Sequence, residues 1–312
     1  MEYKHIFGPV ASRRLGISLG VDLVVHKICS LDCVYCECGK TTELTPERRD
    51  YVPFDRVRAE LDHYWDHNDD PDYITFSGSG EPTLNREMGR VIDYIKDTHP
   101  NIRVAMLTNA TLLTDPGVRA ELARVDLLVP SLDGVSERAF RKINRPCKGI
   151  SAKDVAAGIK AMAREFSGEI WLEIFILPGV NNTPEEMDLL KAEILEIQPT
   201  RVQLNTLDRP GTLDSIGPAS REELEAVAAH LDLDNLEIIA KVAKKQVKTP
   251  AENLESAVLE TIHRRPCTRE DLVSMLGARP GALEALLEEL LNQGRIEVTR
   301  EARGEFYRTI KE

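Results

Sequence analysis

The sequence predicts an α/β fold whose parallel strands are covered by helices, followed by a small C-terminal domain of another type. Two observations carry this prediction: short apolar runs alternate with amphipathic stretches through most of the chain, and the pattern changes near residue 240. Near-continuous apolar strands that alternate with helices are typical of a parallel sheet buried on both faces. Periodicity alone leaves open whether these units close into a partial barrel or form an open, doubly wound sheet.

The alternating part contains six strand candidates and five helix candidates. The strands are short apolar runs bounded mostly by Gly, Pro, Asn or Asp, at residues 20–26, 72–77, 102–108, 126–131, 170–177 and 201–207. The helices are amphipathic stretches at residues 54–67, 85–97, 152–166, 183–197 and 221–231. In either kind of parallel sheet, a functional site belongs at the carboxyl ends of the strands.

The C-terminal part has a different element pattern. Residues 241–248 are basic and lack apolar periodicity, so they predict a linker or a final exposed strand. We therefore expect one domain over residues 1–240, a linker over 241–250 and a second domain over 251–312. The second domain combines three helices with two strands, at 254–264, 268–276, 281–292, 295–300 and 305–310. This order predicts a winged helix-turn-helix.

The composition excludes several classes of protein. A hydrophobic fraction of 42% and a charged fraction of 29% are ordinary for a globular chain of 312 residues, which excludes disorder, collagen and a disulfide-rich miniprotein. No apolar run reaches the about 18 residues that a membrane helix needs. The N-terminus lacks the apolar core of a signal peptide, so we expect a cytoplasmic protein. The net charge of −12 opposes nucleic acids and anionic lipids on average.

The cysteines predict a metal centre. Four of the six crowd into residues 29–38, a pattern that indicates metal binding rather than disulfides in a reducing compartment. Cys29, Cys33 and Cys36 follow the first predicted strand with CxxxCxxC spacing. A structural zinc ion needs a fourth ligand, for which Cys38 is the alternative. A [4Fe-4S] cluster held by three cysteines keeps one iron open, and we favour it because the spacing is not that of a zinc ribbon.

The cysteine loop, with the aromatic Tyr35 before its third cysteine, resembles the signature CxxxCxΦC of the radical S-adenosylmethionine (SAM) superfamily. The resemblance covers roughly residues 5–235 and implies a partial (β/α)6 barrel like the TIM barrel. The segment at 77–83, SGSGEPT, is similar to the superfamily's GGEP segment, whose backbone binds the methionine amino group of SAM. The resemblance thus implies cofactor-binding roles for Tyr35 and for four residues of this turn: Gly78, Ser79, Gly80 and Glu81. Ser79 departs from the usual glycine.

Three further cofactor-binding residues are implied by the resemblance. Asn109 ends the third predicted strand, and Ser131 and Asp133 end the fourth. In the superfamily, polar residues at these ends reach the ribose or carboxylate of SAM. The alternative is that they only form turns and cap helices.

The resemblance also implies the chemistry. A reduced cluster passes one electron to SAM, which breaks into methionine and a 5′-deoxyadenosyl radical that abstracts hydrogen from a substrate. The cofactors supply this reactivity, while the protein binds, orients and excludes water. A flavodoxin or ferredoxin-like protein is the implied electron donor.

Two segments are candidates for substrate binding. Residues 8–16, together with the segments GVDLV and CVYCECG, resemble a radical SAM group related to wyosine-forming tRNA synthetases. Arg13 and Arg14 suit a phosphate or carboxylate, the alternative being surface arginines that pair with an acidic helix. The basic loop at 141–149 contributes Arg145 to the same role. Its Cys147 is a candidate hydrogen-atom donor or covalent handle, the alternative being a small apolar side chain. Cys38 and Cys267 have no assigned role.

The sequence leaves three hypotheses for the function. The leading one is an enzyme that acts on an anionic substrate: a nucleotide, an RNA base or a small metabolite. The second is a peptide or protein recruited by the winged helix, and the third is a non-enzymatic iron–sulfur regulator. The presumed recognition helix at 281–292 contains three glutamates and no basic residue, so we do not expect DNA binding, while RNA contact through the wing stays open.

Overall fold

The computed structural model describes residues 3–12, 14–213, 215–239, 254–301 and 304–310. The strands in these ranges are β1 (Ile6–Ser12), β2 (Gly16–Val21), β3 (Ile28–Cys29), β4 (Glu43–Leu44), β5 (Tyr73–Phe76), β6 (Arg103–Thr108), β7 (Leu127–Pro130), β8 (Glu169–Phe175), β9 (Arg201–Asn205), β10 (Leu236–Ile238), β11 (Cys267–Thr268), β12 (Ile296–Glu301) and β13 (Gly304–Thr309). The helices are α1 (Phe54–His67), α2 (Met88–Thr98), α3 (Pro116–Glu121), α4 (Glu137–Ile143), α5 (Ala152–Glu165), α6 (Pro184–Ile197), α7 (Arg221–Leu231), α8 (Leu254–Arg264), α9 (Arg269–Leu276) and α10 (Pro280–Asn292).

Eight of the described strands form one mostly parallel sheet. Its order is β1-β2-β5-β6-β7-β8-β9-β10, with β1 antiparallel to β2 and every later neighbour parallel. The strands of this sheet follow one another in chain order, and helices connect most of the parallel ones. The predicted α/β class with a parallel sheet is therefore confirmed.

Side chains alternate between two faces of this sheet, and each face has its own core. Ile74 and Leu172 point outward into the large cluster under the helices, whereas their neighbours Tyr73 and Trp171 point to the inner face. A small inner cluster with Leu15 and Leu127 closes the amino-terminal end of the strands. The space above it, towards the carboxyl ends, is left for a site.

The first predicted strand was misplaced. The run at 20–26 was expected to form it, but β2 ends at Val21 and the chain leaves the sheet at Asp22. Leu23 and Val24 are buried without belonging to a strand, because they pack against residues below the cysteine loop. An apolar run reports burial and not strand geometry, which explains the error.

Short elements were missed for a related reason. The edge strands β1 and β10 and the helices α3 and α4 were not predicted. The two helices have six and seven residues, too few for an apolar period to repeat. The helix expected from residue 85 begins later, because the side-chain amide of Asn85 donates to Leu23 O and Val52 O, both at 2.8 Å, and ties the preceding turn to the core.

The C-terminal elements have a separate core. They follow the order α8, β11, α9, α10, β12, β13, and their three strands pair in the order β11-β13-β12. The three predicted helices and two predicted strands all occur here, whereas the two-residue β11 was not predicted. The expected linker at 241–250 lies outside the described residues. No helix in the described ranges is long and apolar enough to cross a membrane.

Candidate functional site

The cysteine loop begins where β3 ends, above the carboxyl end of β2. Amide nitrogens face two of its sulfurs: Asn109 Nδ2 lies 3.4 Å from Cys29 Sγ, and Asn144 Nδ2 lies 3.4 Å from Cys33 Sγ. The buried ammonium of Lys27 lies beside Cys36 and donates to Gly39 O at 2.7 Å. These donors and this cation oppose the effect of burial, which disfavours thiolates, the form of cysteine that binds iron. The residues present therefore fit a [4Fe-4S] cluster.

The thiols of the loop have different acidities. Burial raises the pKa of Cys29 to about 12 and raises the pKa of Cys33 as well. A hydrogen bond from Cys38 and the ammonium of Lys27 lower the pKa of Cys36 to about 6. Metal ions replace the proton of a thiol, so cluster assembly at Cys29 and Cys33 must release protons.

The alternative of a zinc ion held with Cys38 has little geometric support. Within the described ranges, no three His, Cys, Asp or Glu side chains converge closely enough to hold one metal ion. A [4Fe-4S] cluster needs no such convergence, because each cysteine binds a different iron. The Cys38 sulfur instead lies 3.4 Å from Gly78 O and lines a cavity.

A second segment holds the cysteine loop in place. Val34 N donates to Ile143 O at 2.9 Å, and Cys147 N donates to Ser30 O at 3.0 Å, so the chain after α4 pairs with the loop like a strand. Arg145, at a positive φ of 45°, has an exposed side chain. The Cys147 thiol is buried and does not line the cavity, and burial raises its pKa. The structure does not bring these two predicted site residues to the cavity, and their roles stay predictions.

The turn at 77–83 packs directly against the cysteine loop. Gly78 has a φ of +130°, and a Cβ atom there would lie 2.6 Å from Asp22 Cγ. At Gly80 a Cβ atom would lie 1.9 Å from Ile28 O, and the next amide, Glu81 N, donates to that same oxygen at 3.1 Å. Both positions therefore require glycine. The close approach places the main chain of the turn beside the expected cluster.

Glu81 is an internal anchor of this turn. Its Oε1 accepts the amide and hydroxyl of Thr83 and the hydroxyl of Thr108, at 3.1, 2.6 and 2.7 Å, and its Oε2 accepts Asn109 N at 2.8 Å. The side chain is 2% exposed, and burial raises its pKa. Glu81 was expected to take part in cofactor binding, either through an ammonium group or as an anchor of the turn, and these contacts favour the anchor.

Asp133 links Tyr35 to the chain after α4. Its Oδ1 accepts Phe175 N at 2.9 Å, and its Oδ2 accepts the Tyr35 hydroxyl and Asn144 Nδ2, both at 2.6 Å. Tyr35 stacks on the Phe175 ring with centroids 3.8 Å apart. Burial raises the pKa of Asp133 to about 6. These contacts make Asp133 and Tyr35 supports of the loop, while Ser131 lies half-buried at the end of β7.

A cavity of about 960 Å³ lies inside the curved sheet and is bounded on one side by α8 and α9. Cys38 and Gly78 line it on the side of the cysteine loop, and Trp171 of β8 and Arg14, in the turn between β1 and β2, also line it. Arg14 Nη1 donates to Glu173 Oε1 at 2.7 Å and to Gln203 Oε1 at 2.6 Å. The other predicted arginine of this segment, Arg13, lies outside the described residues.

Several residues of the site were not predicted. They are polar side chains that are buried or half-buried: Asp22, Lys27, Asn144, Arg209 and Arg264. No local pattern marks them, because their roles depend on burial and, for all but Lys27, on partners in distant segments.

Residues 23–191 match the model of the Radical SAM superfamily. The chain is 34% identical over 293 residues to UPF0026 protein MJ1312 of Methanocaldococcus jannaschii, covering 93% of this chain and 87% of that protein. It is 33% identical over 298 residues to a protein of Brachyspira hyodysenteriae named GTPase Obg, covering 95% of this chain but only 44% of that one. A radical SAM methyltransferase from Sphaerobacter thermophilus has a similar fold, with a TM-score of 0.54, 18% identity and coverage of 71% of this chain and 65% of that one. The chain therefore belongs to the radical SAM superfamily, whose members are enzymes that use a [4Fe-4S] cluster and SAM.

Proposed function

We propose that this enzyme abstracts hydrogen from a small anionic substrate bound in the cavity beside the cysteine loop. The observation that carries the proposal is that Cys38, Gly78 and Arg14 line one cavity. The cysteine loop (hereafter the cluster loop), the turn at 77–83 (hereafter the SAM-type turn) and the cation of Arg14 thus border the same cavity. When bound, the cluster and SAM supply a reductively generated 5′-deoxyadenosyl group that removes hydrogen.

In this scheme, the residues of the chain bind and orient the cluster and SAM. Cys29, Cys33 and Cys36 hold the cluster, and the backbone of the turn around Gly78 and Gly80 binds the methionine part of SAM. The C-terminal helices limit access of water to the cavity. We expect the electron to come from a flavodoxin or ferredoxin-like protein.

The charge of the cavity favours an anion. Arg14 uses Nη1 for both of its guanidinium hydrogen bonds to described residues, which keeps the edge formed by Nε and Nη2 for a ligand. Arg265 also lines the cavity, and its contact with the Glu37 carboxylate is long, at 3.9 Å. A guanidinium group suits a phosphate or carboxylate. Because the same cavity must hold SAM, its volume favours a metabolite or nucleotide over a polymer.

The surface charge of the C-terminal elements argues against binding of a nucleic acid. We propose that residues 251–312 form a winged helix domain, joined by a linker at 241–250 to a barrel domain at 1–240, because the helices and the antiparallel β12–β13 hairpin occur in that order. The presumed recognition helix α10 exposes three glutamates: Glu284, Glu288 and Glu289. On the hairpin, Arg300 and Arg308 pair with carboxylates at 2.9 and 2.8 Å. Such a surface repels phosphates, so recruitment of a polypeptide substrate is the second candidate function.

Substrate fractionation tests the proposal. Reconstituted protein is incubated anaerobically with dithionite, SAM and separate cell fractions that contain small anions, tRNA or peptides, and 5′-deoxyadenosine is quantified by mass spectrometry. We expect the small-anion fraction to stimulate its formation. Arg14→Gln should lose this stimulation, and the matched exposed variant Arg308→Gln should keep it. Stimulation by the peptide fraction alone would support the second candidate instead.

A further inference from the structure

Arg264, the last residue of α8, crosses from the C-terminal elements to the barrel. Its Nη1 donates to Asp22 Oδ2 at 3.0 Å, and its guanidinium carbon lies 4.0 Å from the centre of the Phe7 ring. The side chain is 16% exposed. A guanidinium held by both a carboxylate and an aromatic face has a defined orientation. The contact therefore joins α8 to the segment that follows β2.

The same carboxylate oxygen holds the SAM-type turn. Asp22 Oδ2 accepts the backbone amide of Ser79 at 3.0 Å and its hydroxyl at 2.8 Å. Asp22 is 5% exposed, and burial raises its pKa while the Ser79 hydroxyl and Arg264 oppose this shift. Gly78 packs so closely on Asp22 that even a Cβ atom would not fit. The position of this carboxylate thus fixes the backbone at Gly78 and Ser79.

Removing the guanidinium would change the state of Asp22. Among the described residues, Arg264 is the cation that contacts this buried carboxylate. A buried carboxylate that loses its counter-ion either takes up a proton or moves towards water. Either change weakens its two bonds to Ser79, because protonation reduces its capacity as an acceptor.

A second arginine ties the cluster loop to the C-terminal elements. Arg209 is 4% exposed, and its Nη1 lies 3.1 Å from Glu37 Oε2, while its Nη2 lies 3.5 Å from Asp271 Oδ2. Glu37 lies between Cys36 and Cys38 of the cluster loop, and Asp271 lies in the first turn of α9. Both loops of the cofactor site are thus attached to the C-terminal elements by guanidinium groups, of which Arg209 is buried and Arg264 is half-buried.

We infer that Arg264 is a positioning residue for SAM, which acts through Asp22 and Ser79 to hold the Gly78–Gly80 backbone, so that the docked C-terminal elements complete the cofactor site. The inference rests on the proposed assignment of this turn to SAM binding. Its consequence is that SAM affinity depends on a residue outside the segment that matches the superfamily.

The test measures SAM binding to the full-length, cluster-loaded protein by equilibrium dialysis with labelled SAM, without reductant. We expect Arg264→Gln to weaken SAM binding about tenfold, which is ~1.4 kcal/mol. Arg264→Lys should restore part of the affinity, and Asp22→Asn should weaken it similarly. The double variant should be no weaker than either single one, since both changes break one network. Iron per chain should stay constant.

The control is Arg269→Gln, which removes an exposed guanidinium that pairs with Glu284 within the C-terminal elements. It should bind SAM like the parent protein. Hydrogen exchange at residues 77–81 should be faster in Arg264→Gln and unchanged in Arg269→Gln. Parent-like SAM affinity in both Arg264→Gln and Asp22→Asn would overturn the inference and keep the proposed function. Absence of SAM binding by the parent protein itself would overturn the turn assignment and, with it, the inference.

Discussion

Lys27 shows how one buried charge serves the cluster loop. Its side chain is 3% exposed, its ammonium donates to Gly39 O, and it lies beside the Cys36 thiol. The thiolates offset the loss of hydration, so the pKa of Lys27 is raised despite burial. A fixed positive charge next to a cluster favours the state with one more electron.

We therefore predict that Lys27→Met makes the reduction potential of the cluster more negative, on the order of 100 mV. Anaerobic redox titration followed by electron paramagnetic resonance measures the shift. Lys40→Met, which removes an exposed cation from the same loop, is the matched control and should shift the potential much less. Equal potentials in the Lys27 variant and the parent would show that this ammonium does not act on the cluster.

The raised pKa of Asp133 predicts how the stability of the folded protein depends on pH. Its pKa is about 6 in the folded protein, against 3.8 for the ordinary residue. The folded state therefore binds more protons than the unfolded state between these values, so its stability falls as pH rises from about 4 to about 6, by ~3 kcal/mol at most. Asp133→Asn should flatten this part of the profile. Melting temperatures of the parent and the variant, measured at several pH values, test this prediction. The same dependence of melting temperature on pH in both proteins would contradict it.

At this scale the sequence predicted local motifs and missed distant partners. The cysteines and the glycines of the SAM-type turn lie within short segments, where spacing alone carries the chemistry. Asp22, Lys27 and Arg264 have no such spacing. The contacts of Asp22 and Arg264 join segments more than 50 residues apart, so they depend on how distant elements meet.

The turn after β5 is the element on which the cofactor site depends. Gly78 combines a positive φ with a Cβ position that Asp22 would block, whereas Gly149 has a φ of +95° with no atom within 4 Å of its Cβ position. A side chain at Gly149 would therefore cause backbone strain alone, whereas a side chain at Gly78 would cause both backbone strain and a steric conflict.

We predict that Gly78→Ala weakens SAM binding by more than tenfold, because the carboxylate of Asp22 must move and carry Ser79 with it. Gly149→Ala should cost ~1–3 kcal/mol of stability from strain alone and leave SAM affinity unchanged. Dialysis and calorimetry on both variants measure these effects. Equal SAM affinity in the two variants would count against the assignment of the turn.

Elements with a clear apolar period were predicted well. α1, α7 and α8 have the predicted bounds, since an amphipathic stripe repeats several times in each and α7 carries a capping box at Ser220. β2 was displaced because buried residues after it, such as Leu23, continue the apolar run outside the sheet.

At the scale of the whole molecule, the C-terminal elements close one side of the cavity. Because they have their own cluster of buried residues, we expect these elements to fold as a unit. The order of their helices and strands was predicted from the pattern of apolar residues in the sequence. Their docking was not, because it depends on contacts between distant segments, such as the ion pairs of Arg209 and Arg264 and the packing of Val10 against the C-terminal core.

We predict that Arg209→Met lowers the melting temperature by several degrees. Without its guanidinium, the carboxylates of Glu37 and Asp271 lose a buried counter-ion, a change that typically costs about 3–5 kcal/mol. Arg221→Met removes an arginine from an exposed pair on α7 and should have almost no effect. Anaerobic scanning calorimetry compares the two. A loss of stability in Arg221→Met as large as in Arg209→Met would show that the buried bridge is not special.

The central claim is that three cysteines hold a cluster at which SAM is cleaved, and one anaerobic assay tests it most directly. Protein reconstituted with iron and sulfide is mixed with dithionite and SAM, and 5′-deoxyadenosine is quantified for the parent, Cys33→Ala and Cys267→Ala, whose thiol is buried among the C-terminal elements. We predict that the parent and Cys267→Ala form deoxyadenosine and that Cys33→Ala forms none. Zinc in place of iron in the parent, or undiminished deoxyadenosine from Cys33→Ala, would contradict the claim.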